Sequence, residues 1–450
     1  MRTHAEILTA LQSRWPESRV APSLARIRAL ADLLGEPHRA FPVIQITGTN
    51  GKGSTAIIIE SLLRALNLRV GRYSSPHLAD LTERIAIDGE PVAVERFDAL
   101  VDDVMPLVTM VDEQQPDGVA MTFFEVMTGL AYEAFAQAPV DVAVVEVGLG
   151  GAWDATSVAD AQIAVIAPVD LDHAHLLGGT PVEIATEKAG IIKEGSVAVT
   201  AAQYADVMDV IAGRCHQVGA RMVVQGRDFA LLERAPAVGG QVLRIDAAGG
   251  PVGDLYLPLF GAHMAENAAL AVAAVEAFLG GRGLAPDVIA DGLAAVAAPA
   301  RLEVVRTSPT VVLDTAHNPH GLAAALAGAR EAFDFSPLIA VVGVMADKDV
   351  DGMLELLDAD ASALVCTQVA STDRGMPADE LAELALDRFD QDQVHVQVSL
   401  VDALDVAARL ADEAGPGSGV LVVGSAILAG EARALLVRER HREDEDGDPW

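Results

Sequence analysis

The stretch Val43-Ile44-Gln45-Ile46-Thr47-Gly48-Thr49-Asn50-Gly51-Lys52-Gly53-Ser54-Thr55 decides the fold. A short β-branched run ends in a glycine cluster, and an apolar helical stretch, Ser54–Leu66, follows it. That succession predicts strand, Gly-rich loop and helix. Glycines let backbone N–H groups turn toward a phosphate, and the helix N-terminus adds positive potential. Lys52 supplies a point charge for β- and γ-phosphates, and a hydroxyl at Ser54 or Thr55 can ligate Mg²⁺. The spacing departs from the usual G-x-x-x-x-G-K-[ST], so a turn without a ligand stays open as the alternative.

Outward from this unit, the apolar runs Val140–Val147 and Ile163–Val169 suit a central parallel sheet covered on both faces. From residue 299 a second series begins. Strands at Val311–Asp314, Leu338–Val344, Ala363–Gln368, Val394–Val398 and Val420–Gly424 alternate with helices near 320–333, 350–358, 377–388, 402–414 and 426–438. The fold class is therefore α/β: a P-loop domain with a mostly parallel sheet over residues 1–298, and a C-terminal Rossmann-like domain over 299–450. Residues 296–300 are the expected hinge, and the acidic end, about 441–450, is expected to be disordered.

The 450 residues carry a net charge of −34, with 51% hydrophobic and 21% charged residues. Apolar content of that order rules out disorder for the bulk of the chain. Residues 299–450 hold 11 basic and 28 acidic side chains, against 20 and 37 in residues 1–298, so the second part is about twice as acidic per residue. Such a field excludes nucleic acid and anionic membrane as default partners. Only Cys215 and Cys366 are present, which argues against a disulfide framework. Neither a signal-peptide core nor an apolar run of spanning length is apparent, and a soluble cytoplasmic protein is expected.

Three further clusters bear chemistry. Glu146, in Glu146–Gly151, closes an apolar strand, where α/β proteins place ligands and an unpaired charge is costly. Asp170–His173 repeats the theme, and Glu146 with His173 could hold Mg²⁺, although from spacing alone His173 reads as a structural histidine. Lys188, in Glu187–Ile191, reads from spacing alone as a surface helix lysine. Asp314–Gly321 puts a carboxylate and two imidazoles after what reads as the first strand of the second domain, either a ligand crevice or a helix cap.

Taken in order, Gly48–Ser54, Ser74–Leu78 with Glu83–Ile85, Thr122–Glu125, Glu146–Gly151, Asp154–Thr156, Asp172–His173, Glu187–Ile191, His263 with Asn267, Arg301–Glu303, Asp314–Gly321 and Gly424–Ser425 resemble one family. It is folylpolyglutamate synthase/dihydrofolate synthase, the ATP-dependent folate glutamate ligases, related to the muramyl peptide ligases. The resemblance implies that Asn50, Gly51, Lys52, Gly53 and Ser54 cradle ATP and that Asn267, Arg301 and Asp314 reach the nucleotide across the domain crevice. It implies two Mg²⁺ sites drawing on Ser54, Ser75, Glu146 and His173, and a carboxylated Lys188, reversing the spacing-based readings of His173 and Lys188. His317 would lie near the reacting phosphate or glutamate. Ser75, Pro76, Arg84, Thr122, Phe124 and Asp154 would border the pterin. Implied substrates are ATP, L-glutamate and dihydropteroate or a reduced folate, with a monomer expected. Three positions depart: Ala152 where Arg is common, Ser157 where Asn is usual, and Ala300 where Gly precedes the arginine.

A muramyl peptide ligase shares the phosphate loop, but the Gly53-Ser54 ending, the Ser74–Leu78 segment and the lack of a nucleotide-sugar domain before residue 43 favour the folate branch. A non-catalytic nucleotide binder would not need Glu146, His173, Lys188, Asp314 and His317 together. Every implied substrate is an anion, so Mg²⁺, Lys52, Arg84 and Arg301 must create a local positive pocket against the acidic field. Salt screens that field. The Michaelis constant for glutamate is expected to hold or fall from low to moderate ionic strength, and a steep climb would contradict this reading.

Overall fold

The computed structural model describes residues 2–16 and 21–446. Its largest sheet contains β1 (Val43–Thr47), β2 (Val70–Tyr73), β3 (Ile85–Ile87), β4 (Glu90–Pro91), β5 (Val142–Glu146), β6 (Ile163–Ile166), β7 (Val197–Thr200) and β8 (Arg221–Val224). The strand order is β4-β3-β2-β5-β1-β6-β7-β8. The pairs from β2 through to β8 are parallel, while β3 and β4 fold back antiparallel at one edge.

β1 lies between β5 and β6, with Ile46 opposite both Glu146 and Val165. All three strands are buried along their length, as continuous apolar runs require. Ile44 and Ile46 pack toward the helices Lys52–Ala65 and Ala262–Phe278. Val43, Ala143 and Val145 pack toward Val94–Gln114 and Phe123–Gln137. The loops leaving β1, β5 and β6 therefore share one edge, the crevice side of an open α/β sheet.

Beyond β8 an antiparallel meander, β9 (Ala230–Ala237), β10 (Gly240–Ala247) and β11 (Gly250–Leu257), forms a separate sheet in the order β11-β10-β9. Sequence patterning passed over it. Its inner face, including Leu243, Ile245, Leu255 and Leu257, joins the core around Ala262–Phe278, but Pro236 and the charged Glu233 and Arg234 interrupt the apolar alternation along β9.

The last sheet contains β12 (Arg301–Thr307), β13 (Thr310–Asp314), β14 (Leu338–Val342), β15 (Ala361–Cys366), β16 (Val394–Val396) and β17 (Gly419–Val423), in the order β12-β13-β17-β14-β15-β16. From β13 onward the pairing is parallel, whereas β12 pairs antiparallel with β13. The Asp314 cluster therefore follows the second strand of this sheet, which corrects the expectation that it followed the first. β12 is irregular, with two register shifts against β13, and its Arg301, Glu303 and Arg306 hide its apolar pattern.

The final helix runs Ala426–Asp446 and takes in residues 441–446 of the end expected to be disordered; residues 447–450 lie outside the described residues. Its run of Arg and Glu is rich in helix formers, which outweighs the charge repulsion that suggested disorder. Among the described residues no helix is long and apolar enough to cross a membrane.

The start of Phe123–Gln137 is pinned from a distance. Thr122 caps it in a reciprocal box with Glu125, and Arg26 Nε reaches both Glu125 oxygens at 3.0 and 3.1 Å in a site nearly closed to solvent. Removing one partner of a buried pair strands the other charge. Arg26→Ala is expected to cost about 3–5 kcal/mol, read from the urea midpoint. A loss under about 1 kcal/mol would mean water reaches Glu125.

Candidate active site

Thr47 ends β1, and the chain turns through Gly48–Gly51 into the helix Lys52–Ala65. Gly51 caps that helix in the left-handed region, at φ 85°, and a Cβ there would lie 2.7 Å from Asn267 Oδ1. The phosphate loop is thus walled by the helix carrying Asn267. Gly53 faces two groups from different sheets. A Cβ on it would stand 3.5 Å from Glu146 Oε2 and 3.6 Å from Arg301 Nη2. Ser54 is buried at the same turn.

Lys52 Nζ curls back onto the carbonyls of Gly48 and Thr49, each at 3.1 Å. Lys188 Nζ donates to the same Gly48 carbonyl at 2.8 Å. Lys188 ends the helix Pro181–Lys188 and is 4% exposed, which corrects its spacing-based reading as a surface lysine. Its neighbourhood is built by close approach, since Gly151 packs on the helix end where a Cβ would meet Glu187 O at 2.6 Å. Burial first, and then the charge of Lys52, lower the Lys188 pKa to about 7. Burial also lowers Lys52, against the attraction of Glu146 and Asp172. Two ammonium groups on one acceptor in a dry site cannot both hold their protons easily.

Glu146 ends β5 and is buried, accepting a 3.3 Å bond from Ser75 N. Burial raises its pKa, opposed by Lys52, Ser75 N–H and Arg301. The loop after it is tied by Asp154, which accepts from Leu149 N at 3.0 Å and from Thr156 N and Oγ1. Burial pushes Asp154 up to about 6. Gln45 on β1 braces the same loop through Thr156 at 2.9 Å and Ser157 at 3.0 Å.

The residues from the last sheet arrive at Asp172. His317 Nδ1 lies 2.9 Å from the Thr315 carbonyl, so this nitrogen carries the proton and Nε2 faces Asp172 Oδ2 at 3.6 Å. Asn318 Nδ2 donates to Asp172 Oδ2 at 3.1 Å while its Oδ1 caps the next helix at Gly321 N, 2.8 Å. The cap reading of this turn thus holds for Asn318, and His317 beside it faces the crevice. Asn318 and Asn50 exchange amide contacts of 3.2 and 3.3 Å, and Asn50 also meets His320 Nδ1 at 2.8 Å. Lys348 Nζ binds Asp172 Oδ1 at 2.7 Å and lies 3.4 Å from His173 Nε2. Burial would raise Asp172, but the cluster around it, the imidazoles of His317 and His173 and the ammonium of Lys348, holds it well below the usual carboxylate range. Burial lowers His173 to about 4, so its ring is neutral near pH 7.

Lys348, on the turn after β14, was missed by sequence reading. Asp347-Lys348-Asp349 looks like a solvated charge run, but the carboxyl end of a parallel strand was the available signal. Asp314, expected to touch ATP, is buried and accepts from Leu302 N at 3.0 Å and Ala316 N at 2.8 Å. The expected pterin residues divide. Phe124 is half-buried against Gly148, with its ring 5.9 Å from Tyr73, and Pro76 is exposed next to Ser75. Thr122 serves as a helix cap, and Arg84 is buried, donating to His77 Nδ1 at 3.0 Å with its guanidinium over Phe123. Among the described residues no three His, Cys, Asp or Glu side chains are grouped to hold a metal.

Residues 300–426 match the Mur ligase, glutamate ligase domain family. A dihydrofolate synthase/folylpolyglutamate synthase of Mycobacterium tuberculosis is 45% identical over 95% of this chain and 93% of its own length. The folylpolyglutamate synthase of M. tuberculosis complexed with ADP superposes with a TM-score of 0.93 at 44% identity, covering 96% of this chain and 98% of that one. An FPGS–AMPPCP–folate complex superposes at 0.84 with 34% identity, over 97% and 100%. With these likenesses spanning both large sheets, the chain belongs to the dihydrofolate synthase/folylpolyglutamate synthase family of ATP-dependent ligases.

Proposed function

We propose that this chain joins L-glutamate to dihydropteroate and to the glutamate tail of reduced folates, with ATP as co-substrate. The observation that carries the reading is the meeting of the Gly48–Ser54 loop, Glu146 and Lys188 with Asp172, His317 and Lys348 in one crevice. A carboxylate is a poor acyl donor because its oxide does not leave. Attack of its oxygen on the γ-phosphorus of ATP forms an acyl phosphate and releases ADP. The glutamate amine then attacks the acyl carbon; phosphate departs with the C–O bond and the amine gives up a proton. Lys52 offsets charge on the transferring phosphoryl group, the chief catalytic demand in such chemistry. The bridges Asn50–Asn318 and Asp172–Lys348 support treating residues 1–298 and 299–450 as two lobes closed over the reaction space, where water would otherwise hydrolyse the acyl phosphate. Phe124 against Gly148 supports a pterin stacked at that wall.

Mg²⁺ fits the oxygen donors present. Glu146 is desolvated with one long bond from the protein, and Ser54 and Ser75 bring hydroxyls, the hard ligands this ion takes. When bound, the ion would neutralise phosphate charge. His173 fits less well, because its Nε2 is turned to Lys348. A lysine amine must be neutral to add to CO₂, and a pKa of about 7 supports carboxylation of Lys188.

ADP release measured with dihydropteroate and with tetrahydrofolate in turn is expected to require glutamate in both cases. No glutamate-dependent release with either acceptor would overturn the reading. Lys188→Ala is expected to be inactive and partly rescued by a short carboxylic acid. In the unaltered enzyme stripped of CO₂, bicarbonate should restore activity more slowly below pH 7, where the amine is protonated, than above it. Full activity of Lys188→Ala would exclude a carbamate role.

A further inference from the structure

Two non-glycine residues flanking Arg301 occupy the left-handed region, Ala300 at φ 53° and Leu302 at φ 48°, and both are closed to solvent. L-residues avoid this region because Cβ crowds the backbone. The outcome of the contortion is the aim of Arg301, whose Nη2 lies against Gly53 of the phosphate loop. Among the described residues no hydrogen bond or ion pair occupies that guanidinium.

Each strained residue is held by a carboxylate on its backbone N–H. Leu302 N donates to Asp314 Oδ2 at 3.0 Å, and Ala300 N donates to Glu303 Oε2 at 2.7 Å. Asp314 is fixed by its own burial and by Ala316 N. Glu303 is not buried; it is gripped from outside by Arg433 of the final helix, whose Nε lies 3.1 and 2.9 Å from its two oxygens. Glycine at position 300 would populate the left-handed region unaided. Alanine does not, so something else must hold the turn.

We propose that Glu303 and Arg433 are positioning residues for the nucleotide. They clamp Ala300 in its strained conformation so that Arg301 reaches the phosphate loop, and the last helix thereby sets the affinity for ATP. The inference rests on the reading of Arg301 as an ATP-facing residue.

The test is a kinetic cycle on the full chain. Arg433→Ala is expected to raise the KM for ATP about tenfold with kcat held within about twofold. In an Ala300→Gly background, the same substitution should raise it no more than about twofold, since glycine keeps the turn without the clamp. Glu303→Gln, which keeps shape and an acceptor oxygen but loses the ion pair, should act in the same direction. Arg433→Lys should lie between wild type and Arg433→Ala, and covers the case in which the alanine variant fails to fold. An equal rise in both backgrounds, or a lowered Tm with unchanged KM, would overturn the clamp. Arg301→Ala separates the two levels. If it leaves the KM for ATP unchanged, the ATP-facing reading fails and the clamp with it; if it raises the KM while Arg433→Ala does not, the clamp alone fails.

Discussion

Two lysine side chains share one carbonyl oxygen, and the N-terminal half of the molecule is arranged around that fact. Gly48 O takes Lys52 from the phosphate-loop helix and Lys188 from a helix 140 residues away. Holding both requires a loop with no side chain in the way, an edge where β1 lies between β5 and β6, and a glycine at 151 that lets the Lys188 helix end approach closely. The electrostatic cost appears as a Lys188 pKa lowered to about 7, and it is eased by the nearby charges of Glu146 and Asp172. The same desolvation that weakens these charges at rest would strengthen their hold on a phosphate in the closed site.

A buried polar layer supports this arrangement from below. Gln45, Thr156, Ser157 and Asp154 each make at least one side-chain hydrogen bond, and they fix the loop after β5 to the centre of the sheet. Asp154 thereby acts on the loop backbone, and Asp314 does the same for the entry to β12. Carboxylates that look like ligands in a motif can be the pins that shape the loop bearing the ligand groups.

The division between what was legible and what was not follows contact range. The phosphate loop could be read because strand, glycines, lysine and helix are consecutive. The alternating second half could be read because fully buried parallel strands are unbroken apolar runs, and β13, β14, β15 and β17 fall where those runs occur. The β9–β11 meander escaped because it buries one face only. The positions of Lys188 and Lys348 escaped spacing because each is defined by a partner more than a hundred residues away, Gly48 in one case and Asp172 in the other. Resemblance to a family is what drew Lys188 into the expected site. Lys348 needed coordinates, since nothing local separates it from the charged turns around it. Thr122 and Arg84 matched a motif, and in the fold Thr122 caps a helix while Arg84 stacks over Phe123.

The strand order also bears on how the protein is made. β1 emerges early, but its neighbours are residues 142–146 and 163–166, and the phosphate loop it carries is finished only by Asn267 and Arg301. Pairings of that separation must wait for long loops to close, which makes assembly of such a sheet slow relative to local helices. On the ribosome, the fragment bearing the complete Gly48–Ser54 motif is still without most of the walls that give it a shape. A ligand that needs those walls gains little until two thirds of the chain exists, and its binding energy goes to the finished fold and not to any early intermediate.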